Sequence, residues 1–414
     1  MQIVHMSDLH IGARPYNENI IYEDIKEAFN QSVEMIKKER PDLFIISGDL
    51  FDSPKPDNDS LKFVIQKFKE LTNLGIPIIL AHGEHDTPGR RETTILQVIS
   101  SAVDKVYAPL YEIRSDKSTS KEKTYEEIVE NTKVSINKLN VFVYPFKKLN
   151  LDLRRQLAKE LLPYYNEAIK RLGGKTVFVA HFSVEPIFVH DALVSVNELP
   201  EASYIAMGHI HRRWINKEGK YYAYPGSLYP IESNEARFST KRGPLLIDLS
   251  TDVPSIQEID IQVRKNVVKE LEITNEKEIY SKIKSIVDIE KKTLEKNNKN
   301  PLIYLKIGIP KNIVSKIVLQ NVEKVKNEEN LVIIPLLERI NKDLGEGPYS
   351  VKSLSKSLLD PVNIMVNEFK IKESTARLLI ELRDAAFEKN EERINELLTK
   401  LSESSIEELK KVLA

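Results

Sequence analysis

Five short apolar runs in this chain each hand over, near their carboxyl ends, to an aspartate or a histidine. Residues 3–6 lead to Asp8 and His10, 43–46 to Asp49, 76–81 to His85, 176–180 to His181, and 204–207 to His209 and His211. A continuous run such as LFII at 43–46 reads as a strand buried on both faces, the pattern of a parallel sheet. Gly48 breaks that run, and Asp49 emerges at the carboxyl end of the strand, where open α/β sheets carry their chemistry. One strand-end Asp or His is usually a hydrogen-bonded polar group or a cap. Five in succession, at the edge of one predicted parallel sheet, point to a shared site. Asp8 and His10 alternate, so a strand-like backbone would turn both side chains the same way.

The segments between these runs have helical periodicity. Helices are predicted over 21–38, over 60–74 with Asn58 or Asp59 as cap and Gly75 as stop, over 92–103, and over Leu151–Leu172 before Gly173-Gly174. Strand and helix in alternation give an α/β class. The faces formed by Leu61, Val64, Ile65 and Phe68 and by Ile95, Leu96, Val98, Ile99 and Val103 suit two packings, the core or a two-fold interface between copies. Residues 111–135 are polar without a clear period and are predicted as a surface excursion. From 214 to about 261 the pattern is antiparallel, with strands at 221–224, 244–248 and 256–263. Beyond it, a helix at 275–292, a strand at 302–309, a helix from 311 and a strand at 331–335 make a compact βαβ-like unit. Asp343 to Pro348 is linker sequence, and the remainder reads as helical. The predicted domains are therefore 1–263, 264–342, a linker at 343–349 and a helical segment at 350–414.

Composition narrows the chemistry. The chain has no cysteine, which excludes disulfides, thiolate metal sites and a cysteine nucleophile. All eight histidines lie at or before His211, so imidazole chemistry is confined to the first half. With 61 basic and 62 acidic residues, a polyanionic partner is not announced by net charge. Phosphate contacts would come from local clusters such as Arg90, Arg91, Arg212, Arg213, Lys241 and Arg242. No apolar run approaches the ~20 residues of a membrane span. The N-terminus reads as a strand and not a signal peptide, so a cytoplasmic protein without a membrane partner is expected. Oxygen and imidazole donors without sulfur suit Mn²⁺, Fe²⁺, Mg²⁺ or Zn²⁺. The donors are too many for one ion. Two cations ~3.5–4 Å apart, bridged by a carboxylate such as Asp49, are the arrangement used for phosphate-ester displacement.

These residues also carry a family resemblance. D-x-H (Asp8, His10), G-D-x-x-D (Gly48, Asp49, Asp52), G-x-H-D (Gly83, His85, Asp86), the lone His181 and G-H-x-H (Gly208, His209, His211) resemble the calcineurin-like metallophosphoesterases. Their order and spacing resemble, more narrowly, the meiotic recombination eleven/SbcD nuclease family of double-strand-break repair. The resemblance implies a β-sandwich flanked by helices, a small α/β capping domain over DNA, and a helical tail at 350–414 that binds an SMC-like coiled-coil ATPase. A homodimer through the helices near 60–74 and 92–103 is expected from their apolar faces. Two Mn²⁺ ions are implied, one held by Asp8, His10, Asp49 and His211, the other by Asp49, Glu84, His181 and His209. His85 would then stabilise the transition state or protonate the leaving 3′ oxygen. The implied activity is double-strand 3′–5′ exonuclease and single-strand endonuclease. Two positions depart from the family pattern: Glu84 stands where an asparagine is usual, and Asp52 where the repair nucleases commonly carry histidine. They keep open a DNA-end-binding scaffold with weakened catalysis, or another calcineurin-like phosphodiesterase or phosphatase.

Overall fold

The computed structural model describes residues 1–340 apart from 90–91, 112–120, 190, 238–240 and 293–298, and beyond them only Lys372, Thr375, Leu378, Leu397 and Lys400. The linker at 343–349 lies outside the described residues, as does nearly all of the segment at 350–414.

The first half is built in chain order from β1 (Gln2–Met6), α1 (Asn19–Glu39), β2 (Leu43–Ser47), α2 (Asn58–Asn73), β3 (Ile78–Ala81), α3 (Ile95–Ala102) and β4 (Val106–Tyr107). The cap of α2 is Asp57, whose carboxylate accepts from the Ser60 amide at 2.9 Å, and not Asn58 or Asp59. Helix α3 starts later than periodicity suggests, because Thr94 and Gln97 close a capping box there. Next come α4 (Lys121–Asn131), β5 (Lys133–Ile136), β6 (Leu139–Val143), α5 (Leu151–Leu172), β7 (Thr176–His181), β8 (Val184–Glu185), β9 (Val194–Ser195) and β10 (Tyr204–Gly208). Helix α4 corrects the expected excursion at 111–135. Tyr125, Ile128 and Val129 are buried at helical spacing, a short stripe masked by the polar residues around it. The half closes with β11 (Trp214–Asn216), β12 (Tyr222–Tyr224), β13 (Leu245–Asp248) and β14 (Ser255–Glu258).

These strands form two six-stranded sheets where the strand runs alone suggested one. The first has the order β14-β13-β1-β2-β3-β4, with β1 to β4 parallel and β13 and β14 joined antiparallel. The second has the order β11-β12-β10-β7-β6-β5, parallel from β12 to β6 with antiparallel edges. They pack face to face. Ile3, Leu43, Ile45, Ile79 and Ala81 from one sheet meet Val141, Val143, Val177, Val179 and Ala206 from the other in one buried cluster. The opposite face of the second sheet is covered by α4 and α5, with Phe142, Phe178 and Ile205 against Leu161, Leu162 and Tyr165. Both faces of the central strands are thus dry, which is why their sequences do not alternate. Each such large side chain contributes roughly 1.5–3 kcal/mol through burial. The consequence for chemistry is direct: β1, β2 and β3 deliver their residues from one sheet, β7 and β10 from the other.

The helices weighed for an interface divide their apolar residues. Val64, Phe68, Leu96, Ile99 and Val103 are core, whereas Leu61, Ile65 and Ile95 are half-buried and Val98 is 46% exposed.

The chain separates into two compact units, residues 1–269 with 287–304 and 329–334, and residues 270–286 with 305–328 and 335 onward. The later elements are β15 (Asn266–Glu272), α6 (Ile279–Lys292), β16 (Leu302–Pro310), α7 (Ser315–Glu329) and β17 (Val332–Ile340), with sheet order β15-β16-β17. Strand β15, NVVKELE, was not expected from its mixed sequence. Within the second unit Ile279, Ile283, Ile307, Ile309, Val318 and Val322 are buried. Arg339 donates there to the carbonyls of Pro310 (3.1 Å) and Ile313 (2.7 Å), closing the turn into α7.

Candidate metal centre

Strand β1 ends at Met6, so Asp8 and His10 are not strand residues. Both sit in left-handed backbone, at φ +54° and +45°, and Asp49 (+51°) and His209 (+93°) share that conformation. A non-glycine residue held there costs of order 1–3 kcal/mol, and such strain gathers at functional sites. Backbone bonds hold the loop: Asp8 N–H donates to the Gly48 carbonyl at 3.1 Å, and Leu9 and His10 N–H to that of Asp49 at 2.9 and 3.1 Å. The motif glycines permit two close approaches at this end, Gly83 within the first sheet and Gly208 between the two sheets. A Cβ on Gly83 would fall 2.2 Å from Asp49 Oδ1, and one on Gly208 would fall 2.0 Å from the Ser47 carbonyl oxygen.

Three groups of donors result, each with its ligand atoms within 4.8 Å of one another: Asp8, Asp49 and His181; Asp8, His10 and His211; His10, Asp52 and His85. His10 Nε2 lies 3.1 Å from His211 Nε2. Asp49 Oδ2 lies 3.2 Å from His181 Nε2 and 3.9 Å from His10 Nε2. Asp8 Oδ1 lies 3.9 Å from His211 Nε2. His181 Nδ1 faces the Ser47 carbonyl at 2.8 Å, which can only accept, so Nδ1 carries the proton. Its Nε2 is buried, has no hydrogen-bond partner, and is turned to a carboxylate. Two imidazole nitrogens on one cation, each at about 2.1 Å, stand about 3–3.4 Å apart, the separation of His10 and His211. The orphaned nitrogen, the opposed nitrogens and the sulfur-free donor set all fit a divalent cation.

The remaining predicted residues are placed differently. His85 is exposed; its N–H donates to Asp49 Oδ1 at 2.8 Å and its Nδ1 to the Asp52 carbonyl at 2.8 Å. Its ring stands edge-on to His10, centroids 4.7 Å apart. His209 donates its backbone N–H to the Asp8 carboxylate at 3.0 Å, and its Nε2 is 2.5 Å from Asp191 Oδ2. Glu84 is half-buried and joins none of the three groups. Arg213, expected at phosphates, is instead nearly buried and paired with Glu258 at 2.9 Å and Asp260 at 3.6 Å. Arg242 likewise is buried beside Glu235 and Ser227. Arg212 is exposed, Lys241 pairs with Asp260 at 3.3 Å, and Arg90 and Arg91 lie outside the described residues.

The electrostatics are those of a crowded, dry pocket. Burial would raise the Asp49 carboxyl, but the charge of His181, 3.2 Å away, with His10 and His85 behind it, holds it well below the usual carboxylate range. Burial would lower His181, but Asp49 and then Asp8 push it up to about 9. His211 also rises to about 9, burial being outweighed by its bond to Glu235 and the charge of Asp8. In this state protons supply the positive charge that the carboxylates require.

Three carboxylates escaped sequence reasoning as participants. Asp86, fully buried, accepts from the amides of Leu50 (3.3 Å), Phe51 (3.1 Å) and Gly83 (3.1 Å), binding the second and third catalytic loops together. Burial and then Asp49 push it up to about 7. Its place in G-x-H-D was the available signal. Asp191 stands in a loop and Glu235 opens the 3-10 turn Glu235–Arg237, with no spacing to mark either.

Residues 1–213 match the family model of the calcineurin-like phosphoesterases. Similar proteins named "DNA double-strand break repair protein Mre11" include that of Aeropyrum pernix, 32% identical over 97% of this chain and 96% of the relative. That of Saccharolobus solfataricus is 28% identical over 97% and 99%, and that of Sulfurisphaera tokodaii 29% over 76% and 76%. Among the described residues no helix is long and apolar enough to cross a membrane.

Proposed function

We propose, from the premise that this chain belongs to the calcineurin-like phosphoesterases and within them to the Mre11-type repair nucleases, that its metal centre hydrolyses phosphodiester bonds at DNA ends using two divalent cations. The observation that carries this reading is the sharing of ligands: Asp8 and His10 each belong to two donor groups, and Asp49 faces both His181 and His10. One cation, Mn²⁺ by preference, would be held by Asp8, His10, Asp49 and His211, the other by Asp49, Glu84, His181 and His209. When bound, such ions activate a water and polarise the phosphate oxygens.

The chain's own residues do the rest. Asp8 and Asp49 supply the negative charge that seats the ions, and His181 and His211 release their protons to make room for them. As the imidazolium, His85 would keep its Nδ1–H on the Asp52 carbonyl and give its Nε2 proton to the leaving 3′ oxygen, becoming the neutral Nδ1–H form. Duplex DNA would be held by the capping domain at 264–342, with Arg212, Arg90 and Arg91 at phosphates. A homodimer would form through α2 and α3, where Leu61, Ile65, Ile95 and Val98 are left outside the core. Beyond the linker at 343–349, residues 350–414 would bind a coiled-coil ATPase, captured by the full chain but not by a 1–345 truncation.

The test uses Mn²⁺ with linear duplex and single-stranded circles. His85→Ala should slow cleavage by about 10²–10⁴-fold while metal binding persists. DNA binding without cleavage by the wild type would favour the scaffold. Turnover of p-nitrophenyl phosphate but not DNA would favour a phosphatase.

A further inference from the structure

We infer that Glu235 and Asp191 are positioning residues that lock His211 and His209 in opposite tautomers, and so decide which ring nitrogen each turns toward a cation. The inference rests on the cation reading above. His211 Nδ1 lies 2.8 Å from Glu235 Oε1, and a carboxylate can only accept, so that nitrogen carries the proton. Once a cation displaces the second proton, the lone pair is left on Nε2, the atom 3.1 Å from His10 Nε2 and 3.9 Å from Asp8 Oδ1. His209 is held the other way round. Its Nε2 lies 2.5 Å from Asp191 Oδ2, so Nε2 carries the proton and Nδ1 keeps the lone pair. Nδ1 is the nitrogen nearer the main chain, and the His209 main chain is itself tied to Asp8.

Glu235 is largely buried, whereas the Asp191 side chain is 45% exposed and is held in place by its bond to Ser183. Glu235 has a side chain 17% exposed, and its Oε2 accepts from Ser227 Oγ and the Ile231 amide, each at 3.3 Å. Arg242 stands 3.9 Å from the same oxygen, fixed by Ser227 at its carbonyl (2.8 Å) and hydroxyl (2.6 Å). Ser227 N–H in turn donates to the His211 carbonyl at 3.1 Å, so the frame that holds Glu235 also holds the histidine's own backbone. Asp191 Oδ1 accepts from the buried Ser183 hydroxyl at 2.5 Å, leaving Oδ2 for His209. Outer carboxylates of this kind orient ligand rings and raise their basicity. The consequence is that two histidines only two residues apart would address the cations through different atoms, each set by its own carboxylate.

The test measures Mn²⁺ binding by equilibrium dialysis, without DNA. Glu235→Ala and Asp191→Ala should each weaken one of two Mn²⁺ ions by about 10–100-fold and leave the other near wild type. Glu235→Gln and Asp191→Asn keep an acceptor oxygen and should recover much of the loss. Long-range ¹H–¹⁵N spectra of Zn²⁺-loaded, histidine-labelled protein should show His211 protonated at Nδ1 and His209 at Nε2. Identical tautomers in the wild type, or alanine variants that bind Mn²⁺ normally, would overturn the inference. The wild-type spectra decide the matter even where an alanine variant does not fold. A wild-type chain that bound no Mn²⁺ would instead refute the cation reading on which the inference stands.

Discussion

Replacing Gly208 by alanine adds one methyl group where β10 passes the end of β2. Gly208 lacks the positive φ of Gly48, so the backbone accepts alanine and only the neighbours object. The new Cβ would lie 2.0 Å from the Ser47 carbonyl oxygen and 2.7 Å from His181 Nδ1, the two atoms of one hydrogen bond. Ordinary contact begins at 3.4 Å, so the carbonyl must retreat by about 1.4 Å, and the bond orienting His181 is lost. Overpacking of this kind costs about 1–3 kcal/mol, and a buried donor left without its acceptor about 1–3 more. For a domain of this size that amounts to a fall in Tm of about 5–15 °C. A ligand displaced by about 1 Å should also cost about 10²-fold in turnover. Thermal unfolding followed by circular dichroism and Mn²⁺-dependent cleavage would be measured beside Gly89→Ala, a position with nothing within 4 Å of its Cβ, which should change neither. Wild-type melting and wild-type cleavage in Gly208→Ala would show that the sheets are not in contact here as described.

Other outcomes follow from the same structure. His5 and His82 are buried and held neutral, their pKa values lowered by burial to about 3 and about 4. The unfolded chain takes up protons below about 6.5 while the folded chain does not, so stability should fall as pH drops from 6.5 toward 4, by up to about 1.4 kcal/mol per unit per residue. Urea titrations of His82→Gln should show a shallower fall, and an unchanged slope would count against it. His181 and His211, both raised to about 9, hold protons that a cation must displace, so Mn²⁺ affinity should climb from pH 6 and level off above about 9. Dialysis giving a flat profile would contradict this. Mn²⁺ at about 100 times its Kd should stabilise the fold by about 2.7 kcal/mol, and a chelator should remove that gain in calorimetry. Asp57→Ala should cost about 0.5–2 kcal/mol in unfolding experiments through the lost α2 cap.

What could be read before folding was local. Strands β2 and β7 were visible as unbroken apolar runs, α5 as a periodic segment closed by Gly173, and the site as histidines and aspartates at strand ends. The pairing of two sheets was legible from the family resemblance and not from the strand runs, because a strand dry on both faces looks the same whether a helix or a second sheet covers it. Left-handed backbone at Asp8, His10 and Asp49 leaves no trace in residue type, and strand alternation gave the right grouping there for the wrong reason. Gly83 and Gly208 read as punctuation; only the fold shows that their missing side chains make room for Asp49 and Ser47. Arg213 and Arg242 looked like surface cations, since nothing nearby in sequence announces Glu258, Asp260 or Glu235 as partners.

The donors are spread from Asp8 to His211 and come from both layers of the sandwich. A ribosome therefore releases the first carboxylate some two hundred residues before the last imidazole. Until both layers have docked, the emerging polypeptide has fragments of a cage and nowhere to seat an ion. Hydrolytic capacity is in this way tied to architecture: the nascent chain holds no complete site until strands of both layers have come together.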